Sequence, residues 1–549
     1  MKIVVGLGVI VLLLIGLILS LPFLIDLNKY QDQYKPLIED ALNRKIQLQD
    51  IRLTIWPRIG ARVAGFAVLD DPAFEAGSFA SLTSLDVGVK LMPLLGGKVE
   101  VEEIALRDPV ITVIKNKNGV LNVSTLGRTG VAAPATPSRA PVPSAEGPLK
   151  ILALLAVDQV SISGGKLIYR DLSTTNSTEY ILQDLELLLK SVRLGQTPSL
   201  HLATLVQPFN MPVALDGTFG PLKETTDIDA INMQLALGKT SFTITGSTVG
   251  HDAKINIGSP VINTANLPVA LPLKKPVEIH DLQVVAEVKG QEAQLHSLSL
   301  HLFDGEVKTQ GKLISGSDAP PFSGKLTMEG LQLGPALDAV AAPQVSVSGS
   351  GRADMNLQGR GFSMADLTKS LEGTGHVAVK EGKVEGVSLL QEAISILKVA
   401  GISLDNPKAT AFSTIETDLA IKQGIIYVQR LLMDSHDFQA TGGGTIGFDQ
   451  VLNLTVNLNL SQDLSHKIAA ASPVAKLAIR DGRLVLPLLI TGTAQAPSYG
   501  LDMKGISGKV QEQVQKKVEE AVGGLLKGTT KPEDLKQQGQ ELFKDFLGR

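Results

Sequence analysis

The sequence predicts a mainly β protein in which an N-terminal transmembrane helix precedes a long antiparallel sheet with a few helices. Three observations support this prediction. Residues 3 to 25 are almost entirely aliphatic, apolar and polar residues alternate along many later segments, and glycines recur throughout, 53 in all. Frequent glycine turns suit antiparallel hairpins, because parallel strands require long crossover connections.

Residues 1–26 are predicted to be a membrane anchor. The apolar stretch exceeds the ~20 residues that span a bilayer as a helix. It ends in "SLPFLID", without a small-x-small cleavage site or a lipobox cysteine, which favours an uncleaved anchor over a secretory signal. Lys2 precedes the stretch, so we expect a cytoplasmic N-terminus and an extracytoplasmic body, although Lys29 and Lys35 on the far side weaken the charge asymmetry.

Residues 27–126 are predicted to form a short helix, from Leu27 to Asn43, and then a meander of hairpins. The predicted strands of the meander are "IQLQDIRLTI", "SLDVGVKLM", "VEVEEIAL" and "VITVIK". Residues 127–148 carry five prolines among Ala, Ser and Thr, a composition that cannot pack a core. We interpret them as a linker or exposed loop, and as the main internal boundary.

Residues 149–507 are predicted to be an extended β-sheet body. In "VLNLTVNLNL" every even position from 452 to 460 is apolar and the intervening positions are polar. Because a strand points successive side chains to opposite faces, one face of the sheet should be apolar. The candidate residues of this face are Leu452, Leu454, Val456, Leu458 and Leu460, together with Ile231, Met233, Leu235 and Leu237 in a second alternating segment. Helical interruptions are predicted at residues 387–399 and near residues 463–476.

Residues 508–549 are predicted to form two amphipathic helices. Apolar residues recur every four positions from Val510 to Leu526, and Thr530 with Glu533 offers a capping box for the second helix. Two interpretations stay open: the helices cover the end of the sheet, or they attach to a membrane surface or a partner.

The residues that carry common chemistry do not occur in the required patterns. Net charge is −4 with scattered basic residues, which argues against nucleic acid, and the absence of cysteine excludes disulfides and thiolate sites. The eight histidines include no HExxH, and no GxSxG or Walker A sequence occurs. Gly442, Gly444 and Gly447 match a dinucleotide pattern, but the segment leads into a strand, so we interpret it as a turn. We therefore predict no catalytic residue, no cofactor and no metal site.

Several segments, in this order, resemble the AsmA family. The apolar N-terminal span is followed by Asn43-Arg44, where the family usually has Gly-Arg, and then by "PLLGG" and "NGVLNV" within the AsmA-like N-terminal region, residues 27–126. An AsmA-like C-terminal region, about residues 370–502, contains "LEGTGHVAVKEGKVEGVSLLQEA", "GGGTIGFD" and "LPLLITGTAQAPSYGLD".

The resemblance implies a Gram-negative envelope protein, related to TamB, YhdP and the chorein-type bridge-like lipid transfer proteins. It implies a single-pass inner-membrane protein whose periplasmic sheet curls into a trough. Phospholipid acyl chains would move along the apolar lining toward the outer membrane, in support of outer-membrane biogenesis and envelope integrity. The implied partners are phospholipids, the inner membrane, and an outer membrane or envelope protein at the C-terminal helices.

The alternation alone leaves two other functions open. In the first, the sheet is a closed scaffold that assists the assembly of outer-membrane proteins, and its apolar face is ordinary core. In the second, the protein is an envelope hydrolase, although no positioned nucleophile, base or metal set is found in the sequence.

Overall fold

The computed structural model of the protein describes residues 26–55, 58–74, 77–98, 100–126, 157–173, 178–225, 227–267, 271, 273–340, 346–386, 388–396, 409–471 and 479–501. Within them the protein is mainly β, with few helices. The predicted anchor lies outside these residues apart from Asp26, and the predicted linker and C-terminal helices lie outside them entirely. No helix of the described residues is long and apolar enough to cross a membrane.

The chain divides into two compact units. The first comprises Met1–Leu271 and Pro276–Leu300, and the second comprises Pro272–Lys275 and His301–Arg549. Strands of the first unit are β1 (Ile46–Gln47), β2 (Asp50–Thr54), β3 (Gly60–Leu69), β4 (Ser78–Val89), β5 (Val101–Arg107), β6 (Val110–Lys115), β7 (Val157–Asp171), β8 (Thr178–Val192), β9 (Ser199–Gln207), β10 (Met211–Gly220), β11 (Ile228–Leu237), β12 (Thr240–Val249), β13 (Asp252–Asn263), β14 (Glu278–Lys289) and most of β15 (Glu292–Leu302).

The first unit begins with the predicted helix. A 3₁₀ turn (Leu27–Tyr30) leads into α1 (Gln31–Leu42), which ends at Asn43 in the left-handed conformation. The side chain of Asn28 fixes this segment to the edge strand β2: its amide donates to Asp50 Oδ1 at 2.7 Å, and its oxygen accepts from the backbone of Ile51 at 2.9 Å. The prediction of a helix from Leu27 to Asn43 is confirmed.

The sheet of the first unit is mixed, which corrects the prediction of a long antiparallel sheet. Strands β5 and β6 follow one another along the same edge of β4, separated by Asp108 and Pro109. Both pair in parallel with β7, β5 with its first half and β6 with its second. Parallel pairing needs a long connection between the two strands, and the segment from 116 to 156 supplies it. From β7 to β14 each strand pairs antiparallel with the next.

Strand β4 leads into α2 (Leu91–Leu95), a single helical turn. The prediction that "SLDVGVKLM" is entirely strand is therefore wrong at its last three residues, since β4 ends at Val89. Pro93 lacks a backbone N–H and suits the first turn of a helix, which explains why the strand ends here. Two further 3₁₀ turns, Asn122–Thr125 and Thr264–Asn266, complete the helical segments that the structure describes in this unit.

The second unit is an antiparallel sheet that carries helices. Its elements are β16 (Gly305–Ile314), β17 (Pro321–Gln332), α3 (Leu333–Val340), β18 (Ser346–Arg360), α4 (Met364–Ser370), β19 (Glu372–Glu385), α5 (Leu389–Ile396), β20 (Ala409–Lys422), β21 (Ile425–Asp434), β22 (Phe438–Gly447), β23 (Leu452–Leu460), α6 (Gln462–Ala471), β24 (Ile479–Arg480), β25 (Arg483–Thr493) and β26 (Ala496–Leu501). Each strand from β16 to β23 pairs with the next, and β25 pairs with β23, β24 and β26. Helices α5 and α6 confirm both predicted interruptions within the described residues.

The glycine-rich segment "GGGTIG" lies inside strand β22, so its interpretation as a turn is wrong. Gly442 and Gly444 face the neighbouring strand β23 at Val456 and Leu454. A Cβ at Gly442 would lie 2.8 Å from Val456 Cα, closer than real side chains allow. Glycine is required at this position because the two backbones approach each other too closely for any side chain.

Candidate functional site

One face of the first unit carries an unbroken row of apolar side chains that crosses ten strands. Each residue is the direct partner of the next in the strand register, from β2 to β12. All ten side chains are half-buried. We call them row A: Ile51, Val63, Leu85, Leu106, Ile162, Leu187, Leu202, Leu215, Leu235 and Phe242.

A second row runs beside the first on the same face. Gly217 is its only member without a side chain, and the row extends two strands further than row A, to β14. Leu189 is its one buried member among half-buried ones. We call it row B: Ala61, Val87, Ile104, Val160, Leu189, Leu200, Gly217, Met233, Ile244, Ile257 and Val284.

The opposite face of the same strands is polar. Arg62 and Arg107 both form ion pairs with Asp86, across strands β3, β4 and β5. Further along the sheet, His201 pairs with Asp216, and the Gln234 amide donates to Thr243 Oγ1 at 3.0 Å. The sheet therefore separates an apolar face from a solvated one, as the alternation predicts for a strand.

The helices that the structure describes in the first unit do not cover this apolar face. Helix α1 packs on β1 and on the preceding 3₁₀ turn, that turn packs on β2, and the turn at Asn122–Thr125 packs on β6. Contiguous apolar surface that stays accessible is uncommon on soluble proteins and marks a binding surface. Rows A and B are therefore the candidate site of the first unit.

Four predicted candidates lie on strand β11 within this site. Leu235 belongs to row A and Met233 to row B, and both are half-buried. Ile231 faces Phe219 and packs with Met233 on a small core of Leu189, Val192 and Phe219. Leu237, also half-buried, faces Val213 at the end of the strand. The structure brings the four residues together on one face, and their contact with lipid stays a prediction.

The five candidates on β23 divide into two groups. Val456, Leu458 and Leu460 are 2 %, 0 % and 0 % exposed and belong to the main core of the second unit. Leu452 and Leu454 are half-buried toward the other end of the strand. The three buried side chains are surrounded by protein in this conformation, so the surface that a ligand could reach on this strand is limited to the other two residues.

Helices α5 and α6 close the core over β23. Leu390 and Ile394 of α5 and Ile468 of α6 belong to the same buried cluster as Leu458. Ser465 of α6 is fully buried, and its hydroxyl accepts from the backbone of Leu484 at 2.8 Å. The second unit thus covers the apolar side chains of β23 with its own helices, whereas the described helices of the first unit pack away from rows A and B.

Sequence reasoning missed the row residues on β2 to β10 and on β12 to β14. For β9 the signal is present, because "SLHLATLV" alternates and places Leu200 and Leu202 on one face. For β8 the signal is hidden: Asp184 has a φ of 51° within a register shift between β8 and β9. An irregularity of one residue reverses the face of every following side chain, so alternation cannot be read through it.

Two titratable groups of the described residues have strongly shifted pKa values. Burial, and then the charge of Glu392, raises the pKa of Tyr499 to about 12, so this phenol stays neutral. Hydrogen bonds from Ser173, followed by one from Lys115, lower the pKa of Asp171 to about 2. The described residues contain no group of three His, Asp or Glu side chains that could hold a metal ion.

Ser435, His436 and Asp437, in the turn between β21 and β22, line a cavity of about 470 Å³ together with residues of β20 and α5. The Ser435 hydroxyl donates to the backbone oxygen of Ala411 at 2.7 Å, so it is engaged in holding the adjacent strand. His436 and Asp437 are exposed. Serine, histidine and aspartate are therefore neighbours in the sequence here, but the serine hydroxyl donates to a backbone oxygen and not, as a catalytic triad requires, to a histidine.

A family model described as the AsmA family matches residues 1–268 and 273–431. The chain belongs to the AsmA family. The match includes all of the strands that carry rows A and B, the following strands as far as β20, and most of β21. Neither the comparison with curated proteins nor the comparison with solved structures gave a match. The resemblance to the AsmA family is confirmed, and the AsmA-like motifs at 442–449 and 486–502 lie beyond the matched residues.

Proposed function

We propose that this AsmA-family protein binds phospholipids by their acyl chains on rows A and B and shuttles them between the inner and outer membranes of a bacterial envelope. The unbroken, half-buried row A carries the proposal. Family membership is compatible with a role in lipid transport or in the envelope. The proposed function requires no catalytic residue, cofactor or metal.

The physical basis is the removal of apolar surface from water. A fully buried acyl methylene contributes about 0.8 kcal/mol, and one that row A covers on one side contributes part of this, while the charged headgroup stays in solvent and avoids the cost of desolvation. Ten strands spaced about 4.8 Å apart give a row roughly 43 Å long, measured along the sheet. Half of the hydrocarbon core of a bilayer is roughly 15 Å, so row A has room for more than one acyl chain in succession.

The proposed location follows from the N-terminal apolar stretch. Residues 1–26 would remain attached as a single-pass anchor in the inner membrane, with a cytoplasmic N-terminus and a periplasmic body. Asn28 fixes the chain just after this stretch to β2, the strand on which row A begins. An anchored chain would therefore hold the first residues of row A close to the membrane.

Site-specific photo-crosslinking in intact cells tests the proposed function. A photoreactive amino acid replaces Leu202, and a matched variant carries it at His201, the adjacent residue on the polar face. After irradiation we expect covalent phospholipid on the protein labelled at 202, detected by mass spectrometry, and at least about tenfold less on the protein labelled at 201. Equal labelling at both positions, or none at 202, would contradict lipid binding on row A.

The second candidate is a scaffold that assists assembly of outer-membrane proteins without a lipid conduit. The closed core over β23 favours it, because there the apolar face serves as ordinary core. A scaffold predicts that the protein labelled at Leu202 crosslinks to protein and not to lipid. The same irradiated samples therefore distinguish the two functions.

A further inference from the structure

Helix α2 presents four large apolar side chains to solvent within one turn. Leu91, Met92, Leu94 and Leu95 are 42 %, 78 %, 37 % and 69 % exposed. Elsewhere in the described residues, large apolar side chains with comparable exposure are not grouped this closely along the chain; the nearest case is the pair Phe362 and Met364. A contiguous exposed cluster of this kind marks an interaction surface.

The exposed turn is held in shape by its own backbone. The Leu94 N–H donates to the Lys90 oxygen at 3.2 Å, and the Lys98 N–H donates to the Pro93 oxygen at 2.9 Å. No helix or strand of the described residues packs extensively on α2. The cluster is thus a fixed, projecting surface and not a strand end that has lost its neighbours.

The position of α2 in the fold indicates what covers it. Asn28 bonds to Ile51, which faces Val63, which in turn faces Leu85 six residues before α2 begins. Six residues of strand and two strand spacings amount to roughly 25 Å or less. Residues 3 to 25, the apolar stretch that is long enough to span a bilayer, end three residues before Asn28. A bilayer that holds this stretch is therefore within reach of α2.

Strand β4 connects this surface to the candidate site. Leu85 of row A and Val87 of row B lie on β4, which leads directly into Leu91. Apolar side chains that enter the boundary between headgroups and acyl chains bind membranes through the area they bury. Lys98, which is exposed at the end of the turn, suits the phosphate layer above that boundary.

We propose that α2 inserts its apolar side chains into the surface of the bilayer that anchors residues 3–25. The insertion brings the residues of rows A and B on β4 close to the leaflet that α2 enters. This inference rests on the membrane anchoring proposed above and adds the point at which lipid enters. The occupant of the α2 surface is phospholipid. A second copy of the chain is the competing occupant.

The cysteine-free sequence allows a direct test with single-cysteine variants of the full chain. Met92→Cys carries a polarity-sensitive fluorophore, and the matched control is Val249→Cys, which is 67 % exposed at the end of β12 in the same unit. Both proteins are mixed with vesicles of phosphatidylethanolamine and phosphatidylglycerol, with or without lipids that carry a quencher on the acyl chain. We expect blue-shifted emission at 92 and at least about threefold stronger quenching than at 249.

Three outcomes would overturn the inference. In the first, the emission of the label at 92 is that of a water-exposed label, as at 249. In the second, the emission at 92 is blue-shifted but the quencher lipid does not affect it, and the shift depends on protein concentration, as contact with a second copy predicts. In the third, the full chain does not float with vesicles. A double variant, Met92→Ser with Leu95→Ser, should lower quenching at a label on Leu91→Cys severalfold and should also reduce lipid crosslinking at Leu202, because lipid enters rows A and B at this surface; unchanged crosslinking at Leu202 would overturn α2 as the point of entry. If the protein labelled at Leu202 shows no lipid crosslinking without the double variant, only the proposed function is contradicted, because quenching at 92 does not depend on lipid reaching Leu202.

Discussion

Val456 and Asn457 are neighbours in β23, yet their surroundings differ completely. Val456 faces Gly442 and Leu488 within the main core of the second unit, whereas Asn457 is exposed on the other face. The alternation in the sequence predicts this opposition of faces. It does not predict that helices cover the apolar face, because a covered face and a lipid-lined face have the same pattern.

Replacement of Val456 by Asp therefore tests the core of the second unit. An unpaired carboxylate at a position that is 2 % exposed should lower the free energy of unfolding by about 3 to 5 kcal/mol. The matched variant Asn457→Asp should change it by less than about 0.5 kcal/mol. Thermal unfolding followed by circular dichroism measures both. If Val456→Asp has the same melting temperature as the parent, this face of β23 is open to solvent and not covered by helices.

The lowered pKa of Asp171 predicts a specific dependence on pH. Its carboxylate accepts from the backbone and hydroxyl of Ser173 at the end of β7, and from Lys115 at the end of β6. Because its pKa is about 2 in the folded protein against 3.8 ordinarily, its stabilising effect is present above pH 4 and is lost as the pH falls toward 2. Asp171→Asn should remove this part of the acid sensitivity. The melting temperatures of the parent and of Asp171→Asn should lie closer together at pH 3 than at pH 7. A difference that is the same at both pH values would contradict the lowered pKa of Asp171.

Helix α6 determines how firmly the core of the second unit is closed. Its serine at position 465 is fully buried, donates to the backbone oxygen of Ser461 at 2.7 Å and accepts from Leu484. The helix is thereby fixed to β25 by a polar contact inside an apolar cluster. A buried donor that loses its acceptor costs more free energy than the hydrogen bond itself contributes.

Ser465→Ala leaves the buried N–H of Leu484 without its acceptor and should destabilise the protein by about 1 to 3 kcal/mol. Thr368→Ala is the control: Thr368 of α4 is exposed and donates to the backbone of Met364 at 2.7 Å, a bond that water can replace. We expect a change of less than about 0.5 kcal/mol there. Equal melting temperatures for Ser465→Ala and the parent would mean that α6 is not docked on β25.

At the level of elements, the sequence predicts most of the structure that depends on local pattern. The helices at 31–42, 389–396 and 462–471 follow from apolar spacing, and the strands follow from alternation. The parallel pairing of β7 was missed because strand partners are set by the path of the chain, which no local pattern records. The helical turn at Leu91 was missed because "KLM" continues an alternating strand and only Pro93 interrupts it.

At the level of the whole molecule, the two units use their apolar faces differently. In the first unit, rows A and B stay half-buried apart from Leu189, and the described helices pack elsewhere. In the second, α5 and α6 cover the apolar side chains of β23. Sequence reasoning treated residues 231–237 and 452–460 as equivalent parts of one lining. Burial separates them, because it depends on which helices pack on the sheet and not on the strand itself.

Strand β11 offers the most direct test of an apolar lane in the first unit. Leu235 lies in row A between Leu215 and Phe242, while the adjacent Gln234 is exposed on the polar face. Leu235→Asp places a charge in the middle of the row, where an acyl chain could cover it only at the cost of desolvating an unpaired carboxylate. Because the side chain is half-buried and solvent remains within reach, we expect the fold to survive with a loss of about 1 to 2 kcal/mol.

Phospholipid bound to the purified full-length protein, quantified by mass spectrometry, should fall at least about threefold in Leu235→Asp and stay at the parental level in Gln234→Asp. Thermal unfolding of the same samples separates lost binding from lost structure. If Leu235→Asp binds as much phospholipid as the parent while remaining folded, row A is not the path of the acyl chains. If it melts as far below the parent as Val456→Asp does, the apolar face of β11 is a covered core like that of β23, and the scaffold function becomes the better account of this sheet.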